Sequence, residues 1–274
     1  MDYIYIMQRE MLRRGYSPKT ITTYLFALHK FFTFCKKEVK SITKQDVTTF
    51  LDTLVDKNKS GNTLNVYVNA IKFFYEEILH RRLTLKIRYS KVPKTLPVFL
   101  TQEEVKKLFE VTINPKHKLI LEMLYSTGLR VSELVHLKIG DLEFERSIGF
   151  VRKGKGNKDR PFIIAQKLVP ILKTYIQTHH LEFNDYLFSG QRSKLYSTRS
   201  IQAIVKKSAR LAGIKKKIHP HSLRHSYATH LIEYGYDVTT VQPLLGHASA
   251  ETTLRYVHMA NPKMISVKSP YDFL

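Results

Sequence analysis

Cysteine is nearly absent: the chain has only Cys35, which excludes an intramolecular disulfide and any cysteine-rich zinc site. A reducing compartment is expected. Long apolar runs are also missing, since no stretch approaches the roughly 18 residues a spanning helix needs, and Asp2 stands where a secretory leader would be basic. The sequence therefore predicts a cytoplasmic protein with no membrane partner. No GxxxxGK[ST] nucleotide loop, internal repeat or low-complexity segment is present. Acidic residues are scarce, with 23 Asp and Glu against 45 Lys and Arg, a formal charge of +22 with histidine neutral. A surface this positive repels itself, so a polyanionic partner is expected, nucleic acid before acidic membrane or protein.

What is present is enough to build a core. Hydrophobic residues make up 43% of the 274, with 16 Tyr and 15 Phe. A chain of this length can bury about 75% of its unfolded surface, which argues against a disordered polycation. Four helical segments are expected in the first 81 residues or so. Ile21, Tyr24, Leu25, Leu28, Phe31, Phe32 and Cys35 follow one helix face after Ser17-Pro18, a capping serine and first-turn proline. Leu64, Tyr67, Val68, Ile71, Phe74, Tyr75, Ile78 and Leu79 repeat the pattern, and Thr43 with Asp46 forms a capping start between them.

The helical period lapses between Arg82 and Leu100, where Pro93 and Pro97 flank a basic, extended-looking stretch. We place the domain boundary there: residues 1–82 form a helical domain, 83–100 a linker, and 101–274 a second domain ending in a tail at 260–274. Thr101 and Glu104 open the second domain with a capping box. SIGFVRK and RPFIIA alternate around KGKGNKD and read as a β-hairpin with a lysine-rich turn. Helical pattern resumes after Gln166 and again from Ser197. The fold class is therefore mainly α with a small β-sheet.

Four stretches of the second domain carry chemistry: TGLRVSEL (127–134), GKGNKDR (154–160), HSLRH (221–225), and LGH (245–247) followed nine positions later by Tyr256. In this order and spacing they resemble the tyrosine recombinase family, in its phage-integrase-like, Xer-like branch, across the whole chain. The resemblance implies an N-terminal SAM-like DNA-binding domain and a catalytic domain, together forming a C-shaped clamp on DNA. It also implies strand cleavage and rejoining through a covalent 3′-phosphotyrosine and a Holliday junction. Two protomers would bind inverted arms of double-stranded DNA, and two such dimers would form a tetrameric synapse. Chromosome dimer resolution and integration or excision of a mobile element would use the same site beside the nucleoid, and the need for a partner recombinase or activator is left open.

The residues support this chemistry on their own terms. A nucleophile that stores a phosphoryl group and returns it conserves bond energy, and Tyr256 is the candidate. With a pKa of about 10, only about one phenol in a thousand is ionised at neutral pH, so cationic groups must surround it. Arg130 and Arg224 each offer a permanent, planar fork for non-bridging phosphate oxygens. The resemblance assigns Lys155 as general acid toward the departing 5′-hydroxyl and gives His247 a hydrogen bond to the phosphate. His221, three residues before Arg224, shares its face if HSLR is helical and could accept the tyrosine proton or donate to phosphate. Glu133, three positions after Arg130, is the orienting group. Fixed cations stand where a metal would, so neither metal nor ATP is implied.

Blander readings exist for each residue. An isolated Tyr256 would be a packing residue, Lys155 a solvated turn lysine beside Lys153 and Lys158, and His225 a core histidine. The tail, with Val267, Tyr271, Phe273 and Leu274, resembles segments that dock on a neighbouring protomer, although folding back in cis stays open. Two other functions would use part of this set: type IB topoisomerase-like relaxation, and DNA binding without catalysis.

Overall fold

Helix boundaries follow the local capping chemistry. Ser17 Oγ accepts the backbone N–H of Thr20 and Pro18 occupies the first turn, so α2 runs Pro18–Cys35. The computed structural model describes residues 2–82, 89–91, 97–152, 159–190 and 195–246. Lys155, His247, Tyr256 and the tail lie outside the described residues. The chain divides into two compact units, Met1–Thr95 and Leu96–Leu274. Among the described residues no helix is long and apolar enough to cross a membrane.

In the first unit α1 (Tyr3–Arg13) starts at Asp2, whose carboxylate accepts the N–H groups of Ile4 and Tyr5. Next come α2, α3 (Lys44–Asp56), which opens with the Thr43–Asp46 capping box, and α4 (Gly61–Lys72), capped by Ser60. Their apolar stripes meet in a core that includes Met7, Met11, Leu28, Phe31, Val47 and Ile71. The expected helix does not continue regularly to Leu79, because Phe73–Ile78 winds as a π-helix. Three consecutive rings, Phe73, Phe74 and Tyr75, are buried there. Phe73 packs on Tyr16 and Tyr24, Phe74 on Tyr3 and Phe32, and Tyr75 donates to the Val39 carbonyl. Tertiary packing on several sides overrides the regular winding at this point. Asn65 on α4 pairs with both backbone groups of Ser90, accepting its N–H at 2.8 Å and donating to its carbonyl at 3.1 Å.

The second unit contains α5 (Gln102–Glu110), α6 (Pro115–Thr127), α7 (Val131–Val135), α8 (Val169–Thr178), α9 (Thr198–Leu211), α10 (Pro220–Glu233) and α11 (Val238–Leu245). Between α7 and α8 lie β1 (Leu142–Glu143), β2 (Ile148–Val151) and β3 (Arg160–Ile163), an antiparallel sheet in that order. The two expected hairpin strands are thus present, with Val151 opposite Arg160 and Gly149 opposite Phe162. β3 lies at the sheet edge, which accommodates Pro161 because no ladder needs its missing N–H. Along β3 the buried positions are Arg160 and Phe162, alternating with exposed Pro161 and Ile163. That two-residue period turns a charged side chain into the protein interior.

α10 packs on α6 and carries Tyr227 and Ala228 against Val241 and Leu245 of α11. Burying those two α11 side chains contributes roughly 1.5–3 kcal/mol each and seats the helix beside β3.

Candidate functional site

α6 ends at Gly128, whose φ of +61° suits a residue with no side chain. A Cβ there would lie 2.5 Å from the Tyr227 ring, so α10 also requires the glycine. Two residues later Arg130 caps α7: its backbone N–H donates to Glu133 Oε2 at 2.8 Å and its Nη1 to Glu133 Oε1 at 2.6 Å. One carboxylate thus satisfies an orphan helix-start donor and fixes a guanidinium.

α10 supplies the second fork. Pro220 sits in its first turn, and Arg224, one turn along, is only 2% exposed. Its Nη1 donates to the Gly128 carbonyl at 2.6 Å and its Nη2 to the Leu245 carbonyl. A buried charge of this kind is tolerable because its donors meet acceptors. His221 lies on the same helix but is exposed, with its ring 6.3 Å from that of His225 and 6.1 Å from that of His219.

A third guanidinium completes the cluster. Arg160, at the start of β3, donates from Nη2 to Glu133 Oε2 at 2.6 Å and from Nη1 to the Leu244 carbonyl. Arg130 Nη2 reaches the Gly246 carbonyl at 3.1 Å. Three arginines from three elements therefore cap the last carbonyls of α11: Arg160 takes Leu244, Arg224 takes Leu245 and Arg130 takes Gly246. Cations at a helix C-terminus satisfy its orphan acceptors and complement its dipole. Gly246 ends the helix at φ +60°, and His247 follows it in sequence.

The electrostatics follow from this crowding. Burial pushes the Glu133 carboxyl up, but the charge of Arg160 and the bonds from Arg130 outweigh it and hold the group below the usual range. Desolvation, then the charges of Arg224, His219 and Arg130, keep the His221 imidazolium disfavoured. His225 is driven down to about 4 by desolvation and by His221, His219 and Arg224. Tyr227 is pushed up to about 12 by burial despite Arg160 and Arg224 nearby. One carboxylate among three guanidiniums leaves positive charge in excess, suited to an anionic group whose oxygens match planar forks.

Of the residues named from sequence, Arg130, Glu133, Arg224 and His221 are gathered here, while Lys155, His247 and Tyr256 lie outside the described residues. Sequence reasoning missed Arg160. Its available signal was position: it ends the GKGNKDR stretch and shares the inward phase of Phe162.

The model for "Phage integrase family" matches residues 98–262, and that for "Phage integrase, N-terminal SAM-like domain" matches residues 4–85. Tyrosine recombinase XerA of Pyrococcus furiosus is 42% identical over 250 residues, covering 89% of this chain and 85% of that protein. Tyrosine recombinase XerD of Oceanobacillus iheyensis is 33% identical over 291 residues, covering 98% and 96%. Among solved structures, the XerH site-specific recombinase bound to palindromic difH substrate, a post-cleavage complex, superimposes with a TM-score of 0.75 at 26% identity. That match covers 94% of this chain and 82% of XerH.

Proposed function

The chain belongs to the phage integrase family of tyrosine recombinases, enzymes that cleave and rejoin DNA, and from that premise we propose how its residues divide the work. Tyr256 attacks the scissile phosphorus, forming a 3′-phosphotyrosine and expelling the 5′-hydroxyl of the next nucleotide; Lys155 supplies the proton that hydroxyl needs. Arg130 and Arg224 hold the non-bridging oxygens as charge redistributes in the pentacoordinate state. Glu133 keeps the Arg130 fork in place, and His247 adds a hydrogen bond to phosphate. His221, exposed and predominantly neutral, takes the tyrosine proton. Reversal of the same steps with an incoming 5′-hydroxyl reseals a strand without ATP.

The observation that carries this reading is the convergence of Arg130 and Arg224, distant in sequence, on successive carbonyls at the end of α11. That arrangement fixes Arg130 and Arg224 on the carbonyls one and two residues before His247 in sequence, ten and eleven before Tyr256. The excess of basic over acidic residues suits a phosphate backbone, whose counterions such a protein displaces on binding. On double-stranded DNA we assign the protein to a dimer on inverted arms and a tetramer in synapsis, acting in the cytoplasm on the chromosome or on a mobile element.

The test is covalent trapping. A DNA selected for binding from randomised inverted repeats is nicked so that the cleaved end diffuses away, then incubated with protein in excess chelator. Wild type is expected to give a denaturation-resistant adduct that Tyr256→Phe does not. Specific binding without adduct would favour a DNA-binding protein. An adduct with relaxation but no strand exchange between two sites would favour topoisomerase-like activity.

A further inference from the structure

Arg160 has no role in the steps above, yet it bridges the Glu133 carboxylate and the end of α11. Its side chain is 9% exposed and Glu133's is 6% exposed. One end of its fork bonds Glu133 Oε2 at 2.6 Å, and the other bonds the Leu244 carbonyl. Its stem lies across Gly246: a Cβ on that glycine would come within 2.5 Å of Arg160 Cδ and 2.8 Å of Nε. The Nε itself is buried without a hydrogen-bond partner in the described residues. Burying a guanidinium with one donor unsatisfied is costly, and an apolar pair of similar volume in place of Arg160 and Glu133 would serve stability alone at least as well. The position is dictated by the strand, because the inward phase of β3 that seats Phe162 also seats Arg160.

We propose that Arg160 is a positioning residue that locks the end of α11 to the Glu133–Arg130 pair, fixing the backbone from Leu244 to Gly246, directly before His247 in sequence. The inference rests on the recombinase reading for its catalytic consequence, while the clamp itself is a matter of geometry. A planar fork can serve a carboxylate and a carbonyl in fixed directions at once, whereas a lysine ammonium is a point charge on a flexible stem. Gly246 is then required twice, for its positive φ and for the space that Arg160 occupies.

Two variants separate charge from clamp. Arg160→Gln removes both; Arg160→Lys keeps a charge for Glu133, loses the fork and guards against a folding failure of the first. On the nicked DNA, single-turnover cleavage by Arg160→Gln is expected to fall 10–100-fold, the usual cost of losing a supporting partner, with DNA affinity within about threefold of wild type. Arg160→Lys is expected to fall about tenfold.

The pH profile distinguishes positioning from general damage. The charged groups facing Glu133 are Arg130 at the start of its own helix, Arg160 on β3 and, more weakly, His221 on α10; α11 presents its terminal carbonyls. Without Arg160 the carboxyl takes up a proton more readily, so the rate of Arg160→Gln relative to wild type falls further as pH is lowered from neutral toward the ordinary carboxylate range. Arg160→Lys lacks that slope, and so does Arg160→Gln compared with its parent in a Glu133→Gln background.

Backbone hydrogen exchange reads the clamp irrespective of cleavage. In Arg160→Gln the Leu245 and Gly246 amides are expected to exchange at least tenfold faster, with α5 and α9 unchanged. If wild type forms no adduct but this exchange pattern holds, the recombinase reading fails and the clamp stands. Wild-type cleavage and wild-type exchange in Arg160→Gln, or a uniform loss across the unit with no pH slope, would overturn the proposal.

Discussion

Glu133 and Arg160 form a 2.6 Å ion pair with both side chains almost wholly withdrawn from water. Twenty-seven residues separate them in sequence, and the pair ties the first turn of α7 to the start of β3. Through it a carboxylate that also holds Arg130 becomes the hub of the cationic cluster.

Removing the carboxylate should therefore destabilise the fold. Glu133→Ala leaves the Arg160 charge buried without its counterion, and breaking such pairs costs about 3–5 kcal/mol. Glu133→Gln keeps an acceptor and should lose less. Urea unfolding at pH 7.5 measures both; equal stability of Glu133→Ala and wild type would contradict the hub.

Gly128 should be as intolerant. A side chain there meets the positive φ, which costs roughly 1–2 kcal/mol, and the Tyr227 ring at 2.5 Å. Gly128→Ala is expected to lose about 2–4 kcal/mol in the same unfolding assay, since overpacking adds to the strain. Because the Gly128 carbonyl holds Arg224, cleavage should fall more than DNA affinity does.

Acid should weaken the second unit through His225. Folded, its pKa is near 4; unfolded, it is about 6.5. The unfolded chain takes the proton first, so this contribution is complete above pH 6.5 and is lost as pH falls toward 4. Between pH 7.5 and pH 5 the loss amounts to about 2 kcal/mol. His225→Gln should flatten the stability difference between those two pH values, and an unchanged pH dependence in that variant would refute the assignment.

The Asn65–Ser90 pairing makes a prediction for the first unit. Asn65→Ala removes its two bonds to Ser90, leaving, among the described residues, the Tyr89 Oη bond to Asn69 Oδ1 as a side-chain tie of the Tyr89–Lys91 stretch to α4. Trypsin cleavage after Lys91, followed by mass spectrometry, should accelerate several-fold, with overall unfolding shifted by less than about 1 kcal/mol.

Local chemistry was the most legible part of the sequence. Ser17-Pro18, Thr43 with Asp46, and Thr101 with Glu104 each start the helix they predict, because a cap involves residues within one turn. Arg130, Glu133 and Arg224 could be named because TGLRVSEL and HSLRH stand, with the other two stretches, in an order and spacing that resembles the tyrosine recombinase family. The π-helical winding of Phe73–Ile78 was not legible, since it answers to rings on α1 and α2 that no local pattern records. Nor was the triple capping of α11, whose bonds span 21, 84 and 116 residues. Arg160 was overlooked for a related reason: an arginine beside a lysine-rich turn reads as solvated until the phase set by Phe162 turns it inward.

The central claim is that, of 16 tyrosines, Tyr256 alone carries the DNA. The most direct measurement digests the trapped wild-type adduct with nuclease and protease and locates the nucleotide-modified peptide by mass spectrometry. The account predicts a single modified residue, Tyr256 in the TLRYVH segment, joined to a 3′-phosphate. A nucleotide on any other tyrosine, or on a serine, would contradict it.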